Sequence, residues 1–133
     1  MDAQEKYEHW LDIAEYDLDT ADAMFKTGRW LYVAFMCQQA VEKLCKGLYV
    51  LYVSDEVPRV HNIRNVVKRF ADQLPEPVSD ERNHLFDTLT AFYMESRYPE
   101  YKQKLSLQMN ETKAKELIEQ TKEVFQWLQT MKP

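Results

Sequence analysis

The sequence predicts an all-helical protein, an up-and-down bundle of four long helices plus one short helix. Three observations point there. Two glycines and five prolines in 133 residues leave few places for a tight turn, which disfavours many-turned β, collagen-like and low-complexity chains. Apolar residues make up 45% of the chain and aromatic residues 13%, too many for a disordered polymer. Apolar side chains also recur at steps of three and four over long stretches, the period of a helix with one buried face. The length fits one domain, 1–133, with one core, and neither an internal repeat nor an interdomain linker interrupts it.

The first helix is predicted over about Asp2 to Lys26. Ala3, Tyr7, Trp10, Leu11, Ala14, Leu18, Ala21 and Phe25 form its apolar stripe, with acids on the opposite face, and Gly28 supplies a stopping residue. A second helix is expected from about Trp30 to Tyr52. Its apolar positions cover a wider arc, which suits a central helix touched on more than one side. Ser54 to Val60 is a loop. Asn62 is expected to cap a short third helix over Ile63 to Gln73, with Ile63, Val66, Val67 and Phe70 inward. Pro75 and Pro77 break it. Asp80 is expected to cap a fourth helix over Glu81 to Ser96, packed through Leu85, Leu89, Phe92 and Tyr93 and ended by Pro99. After a linker of about ten residues, Asn110 or Glu111 opens a fifth helix with Ala114, Leu117, Ile118, Val124, Phe125 and Leu128 as its stripe.

Charge narrows the function. Residues 1–28 hold eight acids against Lys6 and Lys26, so the rest of the chain carries +1 of an overall −5. An acidic protein is a poor general polyanion binder. Arg59, His61, Arg64, Lys68 and Arg69 nevertheless form a local basic stretch, read either as a solvated helix face or as a small nucleotide or RNA contact. Cys37 and Cys45 lie eight residues apart, about 12 Å along a helix, too far for a disulfide. They read as small buried side chains in a reducing compartment. The acidic start lacks the basic and apolar runs of a signal peptide, and no stretch has the apolar length of a membrane span. A cytoplasmic location without membrane association is expected.

Three constellations could carry chemistry. Gln38, Glu42 and Lys46 stack at i, i+4 and i+8 on the second helix. They form either a solvated strip or the polar edge of a groove or interface. Arg97, between Glu95 and Glu100 and followed by Tyr98, Pro99 and Tyr101, is placed to hold a carboxylate or phosphate, with Tyr98 able to stack on a base. A local role, pairing with a neighbouring acid or capping the helix end, fits equally. His61, before Asn62, either donates to a phosphate or fixes its loop. No HExxH, CxxC, Walker loop, GxGxxG or GxSxG occurs, so metal-dependent and Rossmann chemistry is not expected, and no cofactor or metal is assigned.

Taken together, these pieces resemble the HEPN domain family. Trp10-Leu11-x-x-Ala14-x-x-Asp17-Leu18-x-x-Ala21 is similar to the family's opening helix. Phe35-x-x-Gln38-Gln39-Ala40-Val41-Glu42-Lys43-x-x-Lys46-Gly47 resembles its second, and His61-Asn62-Ile63 and Ser96-Arg97-Tyr98-Pro99 follow in order. The resemblance implies a helical bundle that dimerises, often paired with a minimal nucleotidyltransferase in a toxin–antitoxin arrangement. It also implies, for many members, a metal-independent ribonuclease whose signature is an Arg followed by a His after four to six residues. Arg97 matches that Arg, but no His occurs after His84, so the catalytic part does not carry over. The expectation is therefore a non-catalytic module whose groove, with Gln38, Glu42, Lys46, His61, Arg97 and Tyr98, binds a nucleotide, RNA or a nucleotidyltransferase. The alternative is a metal-independent endoribonuclease using Arg97 with His61 as substitute base. A third reading keeps the polar seam as a dimer contact alone.

Overall fold

Asp2 opens the regular structure: its side chain accepts a hydrogen bond from the Glu5 N–H and caps helix α1, Ala3–Lys26. In the computed structural model, which describes residues 1–93 and 99–133, five more α-helices follow. These are α2 (Trp30–Tyr52), α3 (Ile63–Val67), α4 (Asp80–Thr90), α5 (Pro99–Ser106) and α6 (Glu111–Thr130), with one 3₁₀ turn at Ala71–Gln73. All regular structure among the described residues is helical.

The ends of α1 and α2 fall where the sequence puts them. Gly28 takes φ +73 after α1, letting its N–H reach the Phe25 carbonyl and the Arg29 N–H reach that of Met24. This paired closure satisfies the last carbonyls of the helix. The chain then reverses and α2 lies along α1, with the Phe25 and Trp30 rings edge to face at the corner, centroids 5.3 Å apart. Buried residues ring α2 on nearly every side, from Leu31 and Val33 through Cys37, Val41, Leu44 and Leu48 to Val50. It packs against α1, α3, α4 and α6 and is the axis of the core.

Four boundaries differ from those the sequence predicts. The third helix stops at Val67 rather than Gln73, because the backbone turns to seat Phe70 in the core, its ring stacked on Tyr52 with centroids 5.6 Å apart. Ser79, not Asp80, caps α4 by accepting from the Arg82 N–H. The body of α4 ends at Thr90 rather than Ser96, and a turn through Ala91 buries Phe92. The expected linker contains the helix Pro99–Ser106, and Pro99 opens that helix instead of only ending the previous one. Proline suits a first helical position, whose N–H has no intrahelical partner. Asn110 caps α6 as expected, accepting from Lys113 N–H.

The α1–α2 contact is the most extensive in the fold, and Gly47 sets its closeness. A Cβ there would sit 3.0 Å from Trp10 Cβ and 3.2 Å from Tyr7 Cδ2. Trp10 Cβ is fixed to the backbone and cannot rotate aside. Overpacking of this kind costs about 1–3 kcal/mol, against about 1 kcal/mol of helix propensity gained over glycine. Gly47→Ala should therefore destabilise the protein, by on the order of 1 kcal/mol, read from the urea midpoint. Cys37 and Cys45 are both buried and unbridged. Burial pushes the Cys37 thiol up to about 12 and raises that of Cys45 as well. A thiol-specific reagent at neutral pH should modify neither cysteine in the folded protein and both after denaturation.

Candidate functional site

Because α2 is covered nearly all round, any polar residue on it must find its hydrogen bonds inside the protein. Gln38, Glu42 and Lys46 do so as a chain. Gln38 is fully buried, Glu42 is 3% exposed and Lys46 7%, so the seam is neither a solvated strip nor an open groove edge. Gln38 Nε2 donates to Glu42 Oε1 at 2.8 Å and to the His61 carbonyl at 3.0 Å. Lys46 Nζ donates to Glu42 Oε2 at 2.9 Å, with Glu preceding Lys in the favourable helical order. Gln39 Nε2 donates to Gln38 Oε1 at 2.7 Å. Beside this chain, Lys43 pairs with Asp17 of α1 at 2.5 Å. Asp17 is thus buried on the core side of α1, unlike the other acids the sequence places on the outer face.

His61 joins the seam from the loop before α3. Its Nδ1 lies 3.2 Å and 3.3 Å from the two Glu42 carboxylate oxygens. A carboxylate only accepts, so Nδ1 carries the proton. The flat face of the ring stacks on Tyr93, centroids 4.0 Å apart and planes 10° from parallel, and Tyr93 in turn meets Phe35 at 6.3 Å. Asn62 caps α3 through the Asn65 N–H, and Thr90 Oγ1 accepts from Ile63 N–H at 3.2 Å. These bonds tie the His61 loop to α4. The imidazole is held at its backbone, at one edge and on one face, yet its side chain remains 46% exposed. Nε2 makes no hydrogen bond among the described residues. Unprotonated it accepts; on the imidazolium it donates to an anion.

The structure therefore brings together Gln38, Glu42, Lys46 and His61 of the residues singled out from sequence. Arg97 and Tyr98 lie outside the described residues. Tyr93 was legible only as a packing residue. Its place under His61 has no spacing signal, because the two rings come from different segments joined only by the fold. Glu42 is occupied by an amide, an ammonium and an imidazole, which makes it an anchor for His61. No cluster of three or more His, Cys, Asp or Glu side chains that could hold a metal exists among the described residues. No helix among them is long and apolar enough to cross a membrane.

An all-helical bundle with a polar chain sealed in its central helix and an oriented histidine at its edge defines the class of the protein. The model of the HEPN domain family matches residues 7–131, and the chain belongs to that family. Its fold is similar to that in the crystal structure of TT1696 from Thermus thermophilus, with a TM-score of 0.73 and 21% identity over 95% of this chain and 98% of that one. No curated protein matches it.

Removing the Glu42 carboxylate strands a buried ammonium. Glu42→Ala should cost about 3–5 kcal/mol, the usual penalty for breaking a buried pair from one side. Replacing both charges, as in Glu42→Leu with Lys46→Met, should cost much less than the single change. Chemical denaturation of the two variants beside the wild type checks both values.

Proposed function

We propose that this chain is a binding module that holds the phosphate of a nucleotide or of RNA, and does not by itself catalyse a reaction. In this proposal it acts in the cytoplasm as a homodimer and works with a minimal nucleotidyltransferase in a toxin–antitoxin-like pair. The observation that carries the ligand half is His61: pinned through Nδ1 by Glu42 and on one face by Tyr93, with its side chain still 46% exposed, it is a preorganised donor or acceptor. Binding a phosphate needs one such group and a nearby cation, and Arg97, four residues after Tyr93 in the sequence, is assigned that role. Tyr98 is assigned to stack on the base or pack beside it. Lys46 is not available as a second cation, since it is buried on Glu42. The partner half rests on family membership.

One observation favours a second reading. A carboxylate holding Nδ1–H of a histidine is the arrangement that orients a general base. With Arg97 on the scissile phosphate, His61 would then serve a metal-independent endoribonuclease in place of the His missing after Arg97.

Calorimetric titration with AMP decides the first reading. Saturable binding weakened about tenfold or more by His61→Ala supports it, since a hydrogen bond to a charged group is worth about 1.5–3 kcal/mol. Binding that His61→Ala leaves unchanged removes His61 from the site. Cleavage of structured RNA in EDTA, lost in both His61→Ala and Arg97→Ala, moves the protein to the endoribonuclease reading. Purification from the native host without a nucleotidyltransferase removes the partner half.

A further inference from the structure

Glu42 gathers more than it needs to anchor a histidine. Its Oε1 accepts from Gln38 Nε2 at 2.8 Å and its Oε2 from Lys46 Nζ at 2.9 Å. His61 Nδ1 lies 3.2 Å and 3.3 Å from the same two oxygens, so the ammonium and the imidazole share Oε2. Lys46 and Glu42 are both buried, and buried charges are little screened by salt or solvent. Hydrogen bonding alone does not call for a lysine at this place. The Gln38 amide already satisfies Oε1 without bringing a charge into the interior, which is the cheaper way to satisfy a buried acceptor. What Lys46 adds is its positive charge.

That charge decides the state of the histidine. A buried carboxylate with no cation of its own draws a proton onto an imidazole in hydrogen-bond reach, because imidazolium supplies the missing positive charge. With the Lys46 ammonium on Oε2 the carboxylate is already compensated, and a second cation on it is repelled by the first. Of the flanking charges, Lys43 is paired with Asp17 and Arg64 with Asp87, while Tyr93 meets the imidazole face to face. We infer that Lys46 is a positioning residue for the His61 site proposed above: acting through Glu42, it keeps the imidazole uncharged and in its Nδ1–H tautomer, with a lone pair on Nε2. The ring then meets its ligand as an acceptor, and it becomes a donor to phosphate only by taking up a proton.

The test is two-bond proton–nitrogen correlation spectroscopy of the full chain, without ligand, at about pH 7.5, above the ordinary imidazole range. In such spectra the two ring nitrogens differ widely in a neutral histidine, in an order set by the tautomer, and are nearly equivalent in imidazolium. His61→Gln identifies its signals among those of the three histidines. Wild type is expected to show neutral His61 with the proton on Nδ1. Lys46→Met removes the ammonium, and Lys46→Gln removes only its charge while keeping an N–H for Oε2; thermal melts confirm folding. In both variants His61 is expected as imidazolium at the same pH, its titration midpoint raised by about one unit or more. Lys46→Arg, which keeps the charge, is expected to keep the wild-type pattern. Wild-type His61 as imidazolium or as the Nε2–H tautomer overturns the inference, and so does neutral His61 in folded Lys46→Gln. Because no ligand is present, failure of AMP to bind and failure of Lys46 to set the imidazole state are separate results.

Discussion

The rest of the structure depends on the constraint that a helix buried on nearly every side cannot leave a polar group unsatisfied. Helix α2 carries Gln38, Glu42 and Lys46 through the middle of the bundle, and each is bonded to the next. In a low-dielectric interior an unpaired member would be costly, so the three stand or fall together. The chain ends on His61, where the interior meets solvent. A stability element and the candidate site are thus one continuous set of hydrogen bonds.

The rest of the bundle serves that arrangement. Gly47 lets α1 lie against α2 closely enough for Asp17 to reach Lys43. That pairing leaves Lys46 alone with Glu42, so the charges on adjacent turns of α2 do not compete for one carboxylate. From the other side α3 and α4 bring up the His61 loop and the Tyr93 ring, and Thr90 joins the two segments. Where α4 and α6 do not fill the space between them, the Arg82–Trp127 contact bridges one to the other.

Helices with strong periodicity were legible in the sequence. The bounds of α2, the apolar stripe of α6, the cap at Asn62 and the stop at Gly28 all follow from local patterning. The misplaced ends share one cause. Phe70 and Phe92 are drawn into the core by tertiary packing, and each bends a backbone whose local sequence would continue as helix. Pro99 marks a boundary in either case, and sequence read it as an end where the fold uses it as a start.

The sequence alone determined the fold class, the position of the long helices and the vertical stacking of Gln38, Glu42 and Lys46, because helical periodicity is a local property of the chain. Only the tertiary structure decided that this stack is buried, that Asp17 belongs to the core, and that Glu42 and Tyr93 hold His61 between them. Burial and cross-segment contact depend on which helices pack around α2, and no spacing along the chain encodes the neighbours a residue meets on folding.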